Sequence, residues 1–313
     1  MSTWFHLLPE YLFEGLTRGS MYALIALGYT LVYGVLQLIN FAHSEVFMSG
    51  AFGSFLVIHS ITGNSAHPSA GVVALIIILG LLVGAVTGAL IAWVLEQVAY
   101  RPLRRRGAPK LAFLISAIGA SFFLSQLAGK LFGRLSNRGF PSYFNPNHLL
   151  FHIGTARIQL FPLIIIGSAI VMMIFLDRLV ARTKLGRSVR AVAEDAPTAA
   201  LMGIDIDRTI SRTFMIGGAL AGAAGFMFGT AFGFGNTMGF TPGIKAFAAA
   251  VLGGIGNIRG AMIGGLVLGV ESVVPALPAI GTSWTDVVAF VVLVLVLLVR
   301  PTGILGEKLG RAA

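Results

Sequence analysis

The chain has 313 residues, of which 56% are apolar and only 11% are charged, and its net charge is +10. Soluble domains contain about 25% charged residues, whereas several apolar stretches here approach the roughly 20 residues that cross a bilayer as a helix. The composition therefore predicts an all-α polytopic membrane protein. It argues against a β-barrel, whose strands would alternate apolar and polar residues. Because the sequence contains no cysteine, disulfides and thiolate metal sites are excluded.

The first half of the sequence predicts three apolar segments. A span over about residues 13–36 ends at a polar break at 37–45, after which residues 46–58 are apolar again. A long span over 71–98 carries glycines at four-residue spacing, Gly80, Gly84 and Gly88. On a helix this spacing forms one stripe without side chains, so the backbone of a neighbouring helix can approach closely.

Two basic clusters determine the expected orientation of the chain. They lie at 101–110 and 178–190, and two predicted spans, at 111–129 and 160–176, separate them. An even number of crossings places both clusters on one side, and the positive-inside rule makes that side cytoplasmic. The polar loop at 130–159 is therefore predicted to be external. These loops account for the positive charge, so no nucleic-acid partner is expected.

The second half predicts a further set of apolar segments, at 213–234, 244–252, 261–274 and 286–299. We therefore predict about eight transmembrane spans or half-spans. Two of the segments, 40–53 and 245–260, are broken and either cross the membrane or re-enter it. Paired broken helices in the two halves of a chain are typical of an inverted repeat with the transport path between the halves.

The longest polar interruption is the loop at 182–212. Pro197 follows two residues after Asp195, which predicts a short helix over 196–202 with Asp195 near its N-cap. Gly203 suits the C-terminal end of that helix. On residue types alone, an ordinary cytoplasmic loop with a capped turn is the simpler interpretation.

Polar residues and glycines within or beside the apolar segments are the candidates for a translocation path. Polar residues are rare inside membranes and face a bundle interior or a watery cavity. The candidates are Asn40, Phe41, His43, Glu45, Lys245, Gly253, Gly254, Gly256 and Asn257, and Glu271 is a further charge in an apolar stretch. Three alternatives stay open, namely polar turns at the membrane face, structural ion pairs, and glycines that only permit tight helix packing.

Motifs of nucleotide and metal chemistry are missing from the sequence. It contains no Gly-x-x-x-x-Gly-Lys-Ser/Thr loop for nucleotide binding and no His-Glu-x-x-His pair for a metal. The stretch at 253–260 does not fit the Gly-x-Gly-x-x-Gly motif either. We therefore expect no catalytic residue, no metal site and no cofactor bound by this chain. A proton relay would need several carboxylates at membrane depth, and their scarcity argues against a proton-coupled transporter.

The segment GLTRGSMYALIALGYTLVYGVLQLINFAHSEVFMSGA at 15–51 resembles the start of LivH-type permease subunits of branched-chain amino acid ABC importers. Further segments similar to that family follow in the same order, at 96–102, 190–225, 243–269 and 298–306. The resemblance thus covers nearly the whole chain. Ser44 replaces an expected glycine, and Arg259 replaces an expected proline or neutral residue.

The resemblance implies a single transmembrane permease domain over residues 1–313 that is not an enzyme and lies in the bacterial inner membrane. It implies that two cytoplasmic ATPase subunits bind and hydrolyse ATP. It also implies a second, similar permease subunit forming a heterodimer, a periplasmic binding protein and surrounding lipid. The ATPase would dock on the loop at 182–212, through Glu194, Asp195, Ala199, Ala200, Leu201, Met202 and Gly203.

The sequence therefore predicts a permease subunit that forms the pathway for branched-chain or other hydrophobic amino acids, driven by ATP hydrolysis on partner subunits. The same architecture serving urea, a short amide or a sugar is an alternative, because the binding protein selects the solute. An ion-coupled secondary transporter and a gated channel are alternatives from other classes.

Overall fold

The structure is a computed structural model, and it describes residues 2–38, 40–62, 70–133, 149–153, 156–269 and 284–306. A π-helical segment, Glu96–Tyr100, joins α3 to α4, and two antiparallel strands, β1 (Leu149–Ile153) and β2 (Ala156–Gln159), form a hairpin. The helices in chain order are α1 (Ser2–Leu36), α2 (His43–Thr62), α3 (Ala70–Leu95), α4 (Arg101–Arg105), α5 (Lys110–Phe132), α6 (Leu160–Arg182), α7 (Lys184–Glu194), α8 (Ala196–Leu201), α9 (Ile206–Phe232), α10 (Phe240–Gly253), α11 (Ile258–Gly269) and α12 (Thr285–Val299).

The helical, membrane-spanning character of the chain agrees with the sequence prediction. Within the described ranges, six helices are long and apolar enough to cross a membrane, namely α1, α2, α5, α6, α9 and the continuous run from Gly71 to Arg105. Helices α10, α11 and α12 are apolar but shorter. The all-α polytopic fold is therefore confirmed, while the number of about eight spans or half-spans stays a prediction.

Three local features differ from the sequence prediction. The third span was expected to end near residue 98, but the helix continues to Arg105 because carboxylates accept hydrogen bonds from its arginines. Helix α7 was missed, although Thr183 caps it by accepting a hydrogen bond from Gly186 N at 3.1 Å. The predicted external loop at 130–159 contains the β-hairpin, and its residues 134–148 and 154–155 lie outside the described part of the chain.

The chain groups into two compact units, and each has its own packing. The first unit comprises residues 1–30, 147–177 and 245–313, and the second comprises 31–146 and 178–244. Because the units are described separately, a single permease domain over 1–313 and an inverted repeat both stay predictions.

Close backbone contact between α3 and α9 forms the core of the second unit. A Cβ added to Gly222 on α9 would lie 3.0 Å from Gly88 Cα on α3, and one added to Gly84 would lie 2.7 Å from Gly222 O. Larger side chains at these positions would push the two helices apart. The glycine stripe predicted on the third span therefore lies at a helix–helix contact, as expected.

The first unit contains a similar close contact between α1 and α11. A Cβ added to Gly19 would lie 2.9 Å from Gly265 O and 3.1 Å from Gly269 Cα. Small residues thus let the backbones approach in a setting where lipid provides little hydrophobic driving force for helix association.

Helices differ sharply in how much of their apolar surface the chain itself covers. In α1, 83% of the apolar stretch is buried, whereas in α5 only 17% is buried and Phe122 and Phe123 are both exposed. An exposed apolar helix of this length fits contact with lipid acyl chains. Helix α5 therefore leaves most of its apolar surface uncovered, while Ser121 and Ser125 face α2 and the segment that follows α9.

Candidate translocation and coupling sites

The first helix break, residues 37–42, lies between α1 and α2 and is held by polar contacts within the second unit. Gln37 has a positive φ of 50°, and its side-chain Nε2 donates a hydrogen bond to Ala193 O of α7 at 3.3 Å. Asn40 is 3% exposed, and its Oδ1 accepts a hydrogen bond from the Tyr100 hydroxyl at 2.7 Å. Since α7 belongs to the predicted cytoplasmic loop, the break lies towards the cytoplasmic end of the unit.

Glu45, in the first turn of α2, is a buried carboxylate that is only partly satisfied. Its side chain is 2% exposed, and Oε1 accepts a hydrogen bond from Ser121 Oγ of α5 at 3.2 Å. Within the described part of the chain, Oε2 has no hydrogen-bond partner. A buried carboxylate oxygen without a partner is costly in an apolar environment, so this position is a candidate for contact with a polar ligand or water.

The depth of Glu45 follows from its partner on α5. Ser121 lies about 16 Å along the helix from Lys110, at 1.5 Å per residue, and α5 is long enough to cross a membrane. A hydrocarbon core is about 30 Å thick. The carboxylate therefore lies level with the middle of α5.

After α9, the chain returns to the part of α5 near Ser125 and to the turn before Glu45. Asn236 O accepts a hydrogen bond from Ser125 Oγ at 2.7 Å, and a Cβ added to Gly239 would lie 2.9 Å from the carbonyl carbon of Ser44. The segment between α9 and α10 thus passes from the level of Ser125 to the turn before Glu45. Ser44 Oγ donates to Phe41 O at 2.8 Å, so the serine found in place of the expected glycine closes this turn.

Of the other predicted path residues in the second unit, His43 is buried and Phe41 is half-buried. His43 N donates to Asn40 O at 3.1 Å, which starts α2. The structure therefore brings Asn40, Phe41, His43 and Glu45 together at one turn.

Lys245 is the first predicted path residue in the first unit, and it forms an ion pair with Asp286. Its Nζ lies 2.7 Å from Asp286 Oδ1 at the start of α12 and 5.6 Å from the centre of the Tyr22 ring. The lysine is 7% exposed. A buried ammonium with a carboxylate and an aromatic face is well accommodated, which agrees with the structural alternative stated for this residue.

The second helix break, residues 253–257, is closed by the C-terminal segment of the same unit. Gly254 and Gly256 have φ values of 105° and 91°, which favour glycine. Ile304 N donates to Leu252 O at 2.8 Å, and Leu305 N donates to Gly253 O at 3.0 Å. The carbonyls left free at the end of α10 are therefore satisfied by protein.

Asn257 completes this closure with both ends of its amide. Nδ2 donates to Leu305 O at 2.9 Å, and Oδ1 accepts a hydrogen bond from Gly260 N at 2.9 Å, which caps α11. The structure thus brings Gly253, Gly254 and Asn257 together as a tight corner. Gly256 lies in the same turn with open space around its Cα.

Arg259, the other departure from the family pattern, forms a two-pronged ion pair. Its Nε and Nη2 lie 3.2 and 3.0 Å from the two carboxylate oxygens of Asp177 at the end of α6. This bidentate ion pair connects the start of α11 to the C-terminal part of α6. Glu271 lies outside the described residues.

The predicted coupling helix is observed as α8, one residue shorter than predicted. Asp195 occupies the N-cap position but accepts no backbone cap bond, and its carboxylate instead accepts the Thr198 hydroxyl. Pro197 lies in the first turn, and Gly203, with a φ of 83°, ends the helix.

The side chains of this region are strongly exposed. Leu201 is 88% exposed and Met202 is 80% exposed, while Ala199 is 4% exposed and anchors the helix inward. The other predicted docking residues are exposed as well: Glu194, Asp195, Ala200 and Gly203. Large apolar side chains of this exposure, on the loop predicted to be cytoplasmic, indicate a surface for a partner.

Sequence reasoning missed two residues that organise the first break, Tyr100 and Ser121. Tyr100 fell between the predicted span and the basic cluster, although the EQVAYRP segment that contains it carries part of the family resemblance. Ser121 gave no signal, because a serine in an apolar span is common and only the fold shows that it faces Glu45.

Comparison with known proteins identifies the family of the chain. The family described as branched-chain amino acid transport system / permease component matches residues 11–297. The high-affinity branched-chain amino acid transport system permease protein LivH of Escherichia coli (strain K12) is 42% identical over 310 residues, covering 98% of each chain. BraD of Pseudomonas aeruginosa, with the same description, is 42% identical over 309 residues, covering 97% of each chain.

A more distant relative is the probable branched-chain amino acid transport permease protein LivH of Methanocaldococcus jannaschii, 30% identical over 92% of this chain and 89% of its own. No solved structure gives a significant match. The matched proteins are transport permeases and not enzymes, and they cover this chain almost from end to end. The chain is thus a multi-pass membrane protein that belongs to the family of permease components of branched-chain amino acid transport systems.

Proposed function

We propose that the chain forms the membrane pathway for branched-chain or other hydrophobic amino acids in a bacterial ABC importer. The observation that carries the proposal is the exposed apolar end of α8, where Leu201 and Met202 are 88% and 80% exposed on a cytoplasmic loop. Because the chain has no nucleotide-binding loop, an ATPase partner must bind to such a surface for ATP hydrolysis to drive transport.

In the proposed assembly, two cytoplasmic ATPase subunits bind ATP, and a second, homologous permease subunit forms a heterodimer with this chain. A periplasmic binding protein delivers the amino acid, and the complex lies in the bacterial inner membrane. The names of the full-length relatives, which describe permeases of branched-chain amino acid transport systems, support this assignment.

Docking would place Leu201 and Met202 in an apolar groove of the ATPase, with Glu194, Asp195, Ala199, Ala200 and Gly203 shaping the surface. Contacts between a helix and a groove rely on a few such anchors. Leu201→Gln should reduce co-purification of the ATPase, whereas Leu201→Met, which keeps an apolar side chain, should retain it. If Leu201→Gln leaves both the complex and uptake intact, the docking assignment is wrong.

The proposed path in the second unit passes Asn40, Phe41, His43 and Glu45, which combine a buried carboxylate and a half-buried aromatic residue at one turn. A zwitterionic amino acid needs polar contacts for its charged end and an apolar route for its side chain. In the first unit the proposed path residues are Lys245, Gly253, Gly254, Gly256 and Asn257, although the closure by 304–305 favours a packing role for this turn.

Single cysteines at positions 40, 43, 254 and 257 test the path in this cysteine-free chain. Labelling by a water-soluble thiol reagent that changes with the nucleotide state of the ATPase is expected at 40 and 43. Uniform protection of all four positions in a complex that transports normally would remove them from the path and leave packing as their role.

The energy source is tested with the full complex in proteoliposomes. Uptake of leucine should continue when the proton gradient is collapsed at constant internal ATP, and it should stop when ATP is replaced by a non-hydrolysable analogue. Uptake that follows the proton gradient and ignores ATP would assign the chain to the secondary transporters. ATP-driven uptake of urea, an amide or a sugar, with no uptake of leucine, would retain the mechanism and change the substrate.

A further inference from the structure

A groove of about 460 Å³ opens within the second unit between α9 and the continuous helical run Gly71–Arg105, here called the α3 run. It lies at the cytoplasmic ends of both. One wall carries Trp93, Gln97 and Arg101, and the other carries Asp207, Arg208 and Arg212. The transport path and α8 use none of these side chains. The groove is therefore a separate feature of the cytoplasmic side.

Asp207 binds three arginines at this groove, but its single negative charge does not neutralise their three positive charges. Its carboxylate accepts hydrogen bonds from Arg101 Nη2 at 2.9 Å, Arg104 Nη2 at 2.5 Å and Arg105 Nη2 at 2.9 Å. Arg104 Nη2 also lies 3.0 Å from Glu96 Oε1. Three guanidinium groups thus share the half-buried carboxylate of Asp207 and the buried carboxylate of Glu96, so the wall keeps an excess of positive charge.

The opposite wall adds further positive charge. Arg212 is exposed and has no hydrogen-bond or ion-pair partner within the described residues. Arg208 pairs with Asp205, but its side chain is 78% exposed and remains available to a ligand. Both guanidinium groups on this wall are therefore accessible to an anion that enters the groove.

One helical turn further into the membrane, both walls become apolar. Trp93 is 42% exposed, Leu90 on the same helix is 53% exposed, and Met215 on α9 is 38% exposed. Tryptophan is enriched at membrane–water interfaces, where its ring lies at headgroup level. The groove therefore runs from a cationic mouth to an apolar, lipid-facing floor.

We propose that this groove binds the phosphate headgroup of an anionic phospholipid of the cytoplasmic leaflet. The guanidinium groups would contact the phosphate, Trp93 would lie at the glycerol level, and the acyl chains would follow Leu90 and Met215. Basic pockets between transmembrane helices on the cytoplasmic side bind anionic lipid headgroups on this principle. A soluble phosphate would satisfy the arginines but would make no use of the apolar floor.

Tryptophan fluorescence tests the proposal directly. The chain has three tryptophans, so Trp4→Phe and Trp284→Phe leave Trp93 as the reporter in the full chain in vesicles. Brominated phosphatidylglycerol should quench Trp93 at a lower mole fraction than brominated phosphatidylcholine does. Each cation near a membrane surface changes affinity about fivefold, so the double variant Arg208→Gln/Arg212→Gln should lose most of this preference.

Arg106→Gln is the matched control, because Arg106 is exposed in the neighbouring basic segment and does not line the groove. This variant should keep the preference for phosphatidylglycerol. Equal quenching by the two lipids, or equal loss of preference in Arg106→Gln and in the double variant, would overturn the proposal and leave only general surface attraction.

Two further measurements distinguish other occupants. If inorganic phosphate abolishes the preference at constant ionic strength, the site takes a soluble anion and the lipid proposal fails. Native mass spectrometry of the complete complex should show phosphatidylglycerol retained with the ATPase bound and lost in the double variant. Loss of the lipid on ATPase binding in the unaltered chain would assign the groove to a protein contact instead.

Discussion

The two helix breaks contain similar polar residues, but the structure satisfies them in different ways. At residues 37–42, side chains make the contacts, with Asn40 bonded to Tyr100 and Glu45 to Ser121. At residues 253–257, backbone groups make them, because 304–305 pair with the carbonyls of Leu252 and Gly253. The first break leaves a carboxylate oxygen without a partner, whereas the second leaves little unsatisfied.

This difference separates the effects expected of substitutions. A break that is closed by hydrogen bonds between backbone groups leaves no room for added side-chain atoms. Substitutions there should therefore lower the stability of the protein. A break held by side-chain hydrogen bonds, with unused hydrogen-bonding capacity at Glu45, should affect transport before stability.

Gly254→Ala should destabilise the protein strongly. The glycine has a φ of 105°, and an added Cβ would lie 2.6 Å from Gly306 Cα, where only backbone movement could relieve the contact. We expect a loss of more than about 2 kcal/mol, seen as a lower melting temperature of the detergent-solubilised complex in size-exclusion assays.

Gly256→Ala is the control for that substitution. Its φ of 91° is also unfavourable to alanine, but no atom lies within 4 Å of the added Cβ. Only the conformational cost of about 1–2 kcal/mol should appear. Equal melting temperatures for the two variants would mean that contact with the C-terminal segment contributes nothing at this break.

Glu45→Gln should reduce uptake by about tenfold or more, since hydrogen bonds to charged groups contribute roughly 1.5–3 kcal/mol. The amide oxygen can still accept the bond from Ser121, so the melting temperature should change little. Leucine uptake in proteoliposomes, normalised to intact complex, measures the effect.

Ser121→Ala provides a comparison, because it removes one hydrogen bond and keeps the carboxylate. It should lower uptake less than Glu45→Gln does. Normal uptake in Glu45→Gln, together with a large fall in melting temperature, would place the carboxylate in a structural role and remove the contrast between the breaks.

Tyr100→Phe should cost about 1 kcal/mol, because it leaves the buried Asn40 Oδ1 without its donor. A double-mutant cycle with Asn40→Leu isolates the pair. If the two substitutions are additive in melting temperature, the hydrogen bond does not stabilise the first break.

Asn257→Asp should have the smallest effect, below about 1 kcal/mol. The carboxylate can still accept the bond from Gly260 N, but the donor to Leu305 O is lost. Asn257→Ala loses both contacts and should cost up to about 2 kcal/mol. A variant Asn257→Asp as unstable as Asn257→Ala would show that the bond to Leu305 dominates this corner.

The parts of the structure that depend on local pattern were predictable from the sequence. Hydropathy identified the membrane helices, glycine spacing identified the face of α3 that contacts another helix, and Pro197 and Gly203 identified α8. Both helix breaks were also placed correctly, since Gly and polar residues interrupt apolar runs at those points.

What the sequence did not reveal depends on contacts between distant residues. The continuation through Arg105 looks like a basic loop until Asp207 and Glu96 are seen to accept hydrogen bonds from its arginines. Helix α7 is the exception, since its cap by Thr183 is local. The closure of the second break by 304–305 is likewise invisible locally, because it pairs backbone groups about fifty positions apart. The path residues of both units stay a prediction.

The π-helical turn at Glu96–Tyr100 makes residue count as important as residue identity in the α3 run. Arg101 N donates to Glu96 O, five positions back, so one extra residue is accommodated in this turn. In a regular α-helix, residues four apart drift by about 40° around the axis, and the wider turn offsets that drift between Gln97 and Arg101. In a homologue with one residue fewer in this turn, the arginines would lie at a different angle around the helix even if every neighbouring residue were identical. A single-residue gap in an alignment of this segment therefore indicates a change in helix geometry.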